Sequence, residues 1–296
     1  MPLIELTIHP READIGGLKV RRLLPWRERR MVGPFIFLDH MGPASFTDGQ
    51  GIDVLPHPHI GLSTVTYLFE GDVVHKDTLG SNQHIRPGDI NLMTAGRGIA
   101  HSERTGPETR SHPHCIHGLQ SWVALPTEQE EQAPEFLHYK HENIPEIRED
   151  GVILKVAAGE AYGVKSPVKT SSPLFYVDTF LNAGSTLEIP QAYAERALYL
   201  IEGSLRIGGQ TISAPLLPVF SPGKVVIEAL TPAHVILLGG DPLSEPRYIW
   251  WNFVSSSKDR IEQAKEDWKA QKFGKIPGDE KEFVPLPEVQ KPENIL

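Results

Sequence analysis

Apolar and polar positions along this chain change over in runs too short for helices. Stretches of roughly four to eight residues rich in Val, Ile, Leu, Phe and Tyr are cut off by turn-forming residues. Residues 64–69 stop at Glu70-Gly71, residues 90–93 follow Pro87-Gly88-Asp89, and residues 122–125 stop at Pro126. The same punctuation returns later: residues 197–201 before Glu202-Gly203, 216–220 before Ser221-Pro222-Gly223, and 235–238 before Gly239-Gly240. Short strands at this spacing predict an all-β sandwich or barrel.

The pattern also repeats. Tyr67-Leu68-Phe69-Glu70-Gly71 returns as Tyr199-Leu200-Ile201-Glu202-Gly203, with one position changed, and a Pro-containing turn followed by an apolar strand comes after both copies. The parallel order suggests two copies of one barrel. The polar, acidic stretch 127–150 reads as a linker region, which places one barrel in residues 1–126 and a second in 151–250. Residues 251–296 differ in character. Ser256 or Ser257 can cap a helix in which Ile261, Ala264 and Trp268 share a face, with Gly274, Pro277 and Gly278 ending it. This short C-terminal helix is expected to pack on a barrel exterior.

Composition narrows the setting. The chain has 296 residues, 40% hydrophobic and 23% charged, enough for two globular domains. The formal net charge of -9 argues against a broad nucleic-acid footprint. A basic stretch, residues 21–30, is the exception and reads as a solvated loop rather than a phosphate site. Cys115 is the single cysteine, so no intrachain disulfide can form; a buried structural thiol is its expected role. With no apolar leader and no long apolar run, a soluble cytoplasmic monomer is expected.

Candidate chemistry sits in two short pairs. His57-Pro58-His59 is followed about forty residues later by His101-Ser102-Glu103. Strand side chains alternate with period two, so each pair places both groups on one face. Converging from neighbouring strands, His57, His59, His101 and Glu103 offer three imidazoles and a carboxylate. That donor set suits one divalent ion among Fe, Mn, Co, Ni, Cu or Zn. His112, His114 and His117 also have ligand-like spacing but fall in a Pro-rich segment expected to be loop. His75, His84, His138, His141 and His234 stand apart and read as surface or packing residues.

At these residues the sequence resembles the pirin family of the cupin superfamily. The matching pieces include Gly33-Pro34-Phe35, Leu38-Asp39-His40, Pro56-His57-Pro58-His59-Ile60-Gly61, residues 93–99, His101-Ser102-Glu103 and Gly118-Leu119-Gln120. The resemblance implies a bicupin: two stacked antiparallel jelly-roll barrels, with one metal, usually iron, in the N-terminal barrel, bound by His57, His59, His101 and Glu103. The second barrel has no paired histidines and is expected to be metal-free. The glutamate that cupins commonly carry shortly after H-x-H is missing, since Ser63 and Thr64 stand there, and Glu103 takes over as acidic ligand.

Two functions follow from the resemblance. One is a quercetin 2,3-dioxygenase-type activity, which opens a flavonol ring with O2 and releases carbon monoxide. Glu103 is then the candidate catalytic base, and Phe35 and Phe37 are candidate wall residues if not simply core. The alternative is a non-catalytic, redox-sensitive regulator that modulates a protein partner, such as a transcription factor or metabolic enzyme.

Overall fold

The computed structural model describes residues 2–288, and almost all of its regular structure is strand. Two sheet systems share one topology. The first has a seven-stranded sheet in the order Glu135–Tyr139, Ile90–Thr94, Leu62–Glu70, His114–Ala124, Phe35–Phe46, Leu18–Leu24, Arg11–Ile15. It is accompanied by a four-stranded sheet in the order Asp53–His59, Ile99–Arg104, Val73–Asp77, Asn82–Ile85. The second system repeats this order step for step. Its large sheet runs Ile4–Ile8, Leu217–Phe220, Glu195–Glu202, Ala233–Gly240, Leu174–Leu181, Val152–Ala161, Glu146–Glu149, and its small one runs Thr186–Glu188, Val226–Ala229, Ser204–Ile207, Gln210–Ser213. The sheets are antiparallel, as between Leu62–Glu70 and His114–Ala124 in the first system and Glu195–Glu202 and Ala233–Gly240 in the second, and the architecture is a bicupin.

The repeated pentapeptide has a physical cause. Leu62–Glu70 and Glu195–Glu202 hold equivalent sheet positions, and Tyr67 and Tyr199 are both fully buried. Each copy then turns at a glycine in the left-handed region, φ +100 at Gly71 and +90 at Gly203. A Cβ at Gly71 would lie 2.5 Å from the Cys115 carbonyl oxygen, and one at Gly203 would lie 2.4 Å from that of Pro232. Only glycine fits such a turn beside a neighbouring backbone.

The chain ends do not follow the linear division expected from the sequence. One compact unit comprises residues 2–11, 22–36 and 140–243; the other comprises 12–21, 37–139 and, among the described residues, 244–288. Ile4–Ile8 pairs with Leu217–Phe220 and so completes the second barrel. The stretch 127–150 is more than a linker, because Glu135–Tyr139 pairs with Ile90–Thr94 and Glu146–Glu149 pairs with Val152–Ala161. Acidic composition hid these strands: they lie at sheet edges, where few residues are buried.

The C-terminal helix forms as its cap and periodicity require. It spans Lys258–Lys269, the Ser257 side chain accepts from the Arg260 amide, and Ile261, Ala264 and Trp268 are buried. These three pack with Ile60, which follows His59, with Ala100, which precedes His101, and with Phe253. The segment leading into the helix is anchored by a buried ion pair. Arg247 Nε lies 2.7 Å from Glu130 Oε1, both side chains at most 5% exposed. Glu130 also accepts from the Ser256 amide and from the hydroxyls of Ser255 and Ser256.

Removing one member of this pair strands the other charge in a dry environment. We expect Glu130→Ala to cost about 3 kcal/mol or more in urea denaturation. Arg247→Met in the same background should recover part of that loss. A cost under about 1 kcal/mol would show that the pair does not anchor the segment.

Candidate metal centre

The four-stranded sheet of the first barrel sets the geometry. Its edge strand, Asp53–His59, tolerates Pro56 and Pro58 because an edge leaves amides unneeded by the ladder. His57 lies opposite His101 and His59 opposite Ile99. The pairing then slips, with Glu103 opposite Val54, so the edge strand carries a bulge at residues 55–56. Bulges re-aim side chains next to functional sites. Here the bulge brings the Leu55 carbonyl oxygen within 2.8 Å of His57 Nδ1.

Across the sheet, Ile99–Arg104 also pairs with Val73–Asp77, placing His101 opposite Asp77 and Glu103 opposite His75. Three adjacent strands therefore present i, i+2 pairs to one face: His57 and His59, His101 and Glu103, His75 and Asp77. Ligand atoms of His57, His59 and His101 all lie within 4.8 Å of one another, and those of His75, His101 and Glu103 do the same. His101 belongs to both groups. The structure thus gathers the three expected histidines, while Glu103 groups with His101 and His75 rather than with all three. The third pair, His75-Lys76-Asp77, was legible as another i, i+2 motif; what hid it was the absence of a second histidine or a glutamate. His75 is 2% exposed and Asp77 wholly buried, so the expectation of an isolated surface or packing histidine needs correcting: it adjoins the site.

Whether these residues fit a metal is decided by their nitrogens. His57 Nδ1 donates to the Leu55 carbonyl, and His59 Nδ1 lies 3.1 Å from the Asn252 carbonyl oxygen, to which it donates. A nitrogen that donates to a carbonyl carries the ring's proton, leaving a lone pair on Nε2. His101 Nδ1 is occupied by His75 Nδ1 at 3.3 Å. His59 Nε2 and His101 Nε2 face each other at 3.1 Å. Two ligands at right angles on an ion with bonds of about 2.1 Å stand about 3.0 Å apart. Burial pushes the ring pKa of His57 down to about 4 and those of His59 and His101 well below the ordinary value, with mutual repulsion adding to the effect at the latter two. All three rings are therefore neutral, the form that binds metals.

Glu103 has the opposite shift. Burial raises its carboxyl, partly offset by the nearby His75 and the Thr66 hydroxyl. Thr66 Oγ1 lies 3.0 Å from Glu103 Oε1 and 2.9 Å from Gln120 Oε1. One hydroxyl proton cannot serve both oxygens. The consistent network turns the Gln120 amide so that its NH2 donates to Thr66, whose O–H then donates to Glu103. Trp122, on the same strand as Gln120, sits edge-on to His59 at 5.0 Å and stacks on Phe37 at 4.0 Å and 13°. Phe37 is thus one ring removed from His59, whereas Phe35 belongs to the other unit, with its ring 5.7 Å from Tyr176.

The other expected candidates fall elsewhere. His114 and His117 are on the strand His114–Ala124 rather than in a loop; His114 stacks on Phe46, and His117 Nε2 lies 2.8 Å from His40 Nε2. His234 meets Asp178, His138 meets Asn91, and His84 meets Asp72. Cys115 is half-buried, its thiol pushed up by burial and by the Glu70 carboxylate. The basic stretch is partly structural: Arg21 donates to the Gly42 carbonyl, and Arg29 pairs with Glu5 and Glu195. No described helix is long and apolar enough to cross a membrane. In the second barrel the strands equivalent to the histidine pair carry Leu187 opposite Ile227. Among the described residues no metal-capable group lies there.

Comparison with known proteins agrees with this architecture. The model for the pirin family matches residues 17–123, and that for the pirin C-terminal cupin domain matches 176–274. A pirin-like protein of Caulobacter vibrioides is 50% identical over 97% of this chain and 100% of its own length. A crystal structure of a quercetin 2,3-dioxygenase from Acinetobacter baumannii superposes with a TM-score of 0.89 at 37% identity, covering 97% of this chain and 96% of that one. A bacterial pirin from Escherichia coli, solved in complex with nickel(II), shares the fold at 18% identity, with a TM-score of 0.63 over 80% of this chain and 99% of that one.

The depressed histidine pKa values set a pH dependence for the metal-free protein. Between about pH 4 and 6.5 the unfolded chain binds protons that the folded one refuses, so stability rises with pH across this window and falls on acidification. The expected slope is up to about 1.4 kcal/mol per pH unit for each ring. Urea midpoints at several pH values check this, and replacing His59 and His101 by Gln should flatten the acid limb. A wild-type profile flat down to pH 4.5 would contradict the burial of these rings.

Proposed function

The chain belongs to the pirin family, and from that membership and the geometry of its first barrel we propose that it is a metal-dependent dioxygenase of the quercetin 2,3-dioxygenase type, with His57, His59, His101 and Glu103 holding one divalent transition metal, iron first. Three neutral imidazoles and one carboxylate leave up to two positions open on a six-coordinate ion. Such an ion supplies Lewis-acid and redox chemistry for a substrate hydroxyl and O2.

The observation that carries this reading is the Phe37–Trp122 stack lying against His59. It offers an aromatic wall, suited to a flat ring system such as a flavonol, next to the donor set. Glu103 is the proton acceptor for the flavonol 3-hydroxyl. Burial brings its basicity toward neutral pH, where a general base works best, and the Gln120–Thr66 chain holds Oε1 in place. Thr66 donates to that oxygen only, so Oε2 is left for the incoming proton or for the metal. The likeness to the Acinetobacter baumannii enzyme over nearly the whole chain supports the same activity.

Purified protein should bind about one transition-metal ion per chain, and His101→Ala should lose most of it while remaining folded. Elemental analysis and circular dichroism on the same sample measure both. Two tightly bound ions per chain, or full retention in a His57→Ala/His101→Ala double variant, would overturn the ligand assignment.

Metal-loaded protein should consume O2 in the presence of quercetin. Glu103→Gln keeps an amide oxygen as a weak ligand but cannot take the flavonol proton, so turnover per bound ion should fall about 100-fold. No flavonol-dependent O2 uptake with iron, manganese, cobalt, nickel or copper in turn would refute the dioxygenase reading.

A further inference from the structure

We infer that Asp77 and His75 are positioning residues that fix the tautomer of His101 and so aim its Nε2 lone pair at the centre. This rests on the reading that His57, His59 and His101 bind a metal, and it adds a pair of residues that contribute no ligand themselves.

The chain of hydrogen bonds runs in one direction. Asp77 Oδ1 accepts from the amides of Leu79 at 2.9 Å and Ser81 at 3.0 Å, which locks the carboxylate's orientation. Its other oxygen, Oδ2, lies 3.2 Å from His75 Nε2. An ionised carboxylate only accepts, so Nε2 carries the His75 proton and His75 Nδ1 bears a lone pair. That lone pair faces His101 Nδ1 at 3.3 Å, so His101 must donate from Nδ1 and leave Nε2 unprotonated. His75 is held for this by stacking on Phe136, with centroids 4.4 Å apart and planes at 18°.

His101 differs from its two neighbours in this respect. His57 and His59 donate to main-chain carbonyls, which side-chain substitution does not remove. His101 alone is set by side chains, and a carboxylate–histidine arrangement behind a ligating histidine raises its basicity and fixes its ring. The competing role, His75 as a ligand with His101 and Glu103, conflicts with these contacts. Its Nε2 is held by Asp77, and its Nδ1 points at the protonated nitrogen of His101, away from the Nε2 that meets His59.

Asp77→Asn tests the relay by reversing it. The two amides at Oδ1 keep the asparagine oxygen in place, so the new NH2 replaces Oδ2 and donates to His75 Nε2. The His75 proton moves to Nδ1, His101 Nδ1 becomes the acceptor, and His101 Nε2 takes up a proton where a metal must bind. We expect 10- to 100-fold weaker Co2+ binding. Nitrogen-15 NMR of the metal-free protein should show the His101 proton on Nδ1 in the wild type and on Nε2 in the variant, a switch that a merely structural role would not produce. His75→Phe keeps the stack on Phe136, removes the acceptor, and serves as the deciding variant if Asp77→Asn does not fold. It should also bind Co2+ at least 10-fold more weakly, with the nitrogen count on the ion unchanged by X-ray absorption. Wild-type affinity and tautomer in the folded variants would overturn the relay, as would loss of one nitrogen ligand in His75→Phe. Failure of wild-type protein to bind Co2+ at all would instead remove the metal reading beneath it.

Discussion

His101 lies opposite His57 on one side and Asp77 on the other, while Glu103 lies opposite His75, so three adjacent strands aim their i, i+2 pairs at one face. Side-chain direction in a strand reverses with every residue, and a slip of one position in any of the three would turn its pair to the other face. What prevents the slip is visible around the sheet. The bulge at residues 55–56 absorbs the mismatch on the edge strand, and Ile60 and Ala100, at the ends of the two ligand strands, are packed under the helix Lys258–Lys269. The donor set, the positions of the proton donors and the role proposed for Glu103 all inherit from this register.

The duplicated topology shows what the same frame does without a site. The second barrel repeats the strand order of the first, yet its counterparts to the ligand strands are only three and four residues long. Leu187 and Ile227 stand where polar pairs would be needed, and the interior is closed by residues such as Val156, Phe175, Leu198 and Leu205. A filled apolar interior is the more stable state of such a barrel. At its centre the first barrel instead gathers His57, His59, His75, His101, Asp77 and Glu103, each of which requires a partner where it is held away from water. Leu55, Asn252, Thr66 and Ser81 partner His57, His59, Glu103 and Asp77, and His75 and His101 meet each other.

Much of this was legible in the chain because the physics is local. Short apolar runs and Gly-Pro punctuation marked the strands, the recurrence of Tyr67 to Gly71 marked the duplication, and Ser257 with Ile261, Ala264 and Trp268 marked the helix. The H-x-H and H-x-E pairs pointed to the centre because strand geometry puts such pairs on one face. What was not legible depends on which strands lie side by side. Asp77 two residues after His75 made a weak local motif, but only strand adjacency shows that His75 adjoins His101 while His84 meets Asp72 near the surface. Glu135–Tyr139 lay hidden because an edge strand needs few apolar residues. The separation of Phe37 from Phe35, two residues apart yet in different units, is likewise a property of the fold.

One acceptor of the centre comes from far along the chain: the carbonyl that receives the His59 proton belongs to Asn252, in a segment anchored by Arg247 and Glu130 and followed by the helix. Synthesis proceeds from the N-terminus, and domains commonly fold as they emerge. Here the strands that carry the histidines are spelled out early, and the acceptor that fixes His59 follows 193 residues later. In a chain halted before residue 252, His59 would lack the carbonyl that fixes its tautomer, and the proposed ion would meet one histidine still free to rotate.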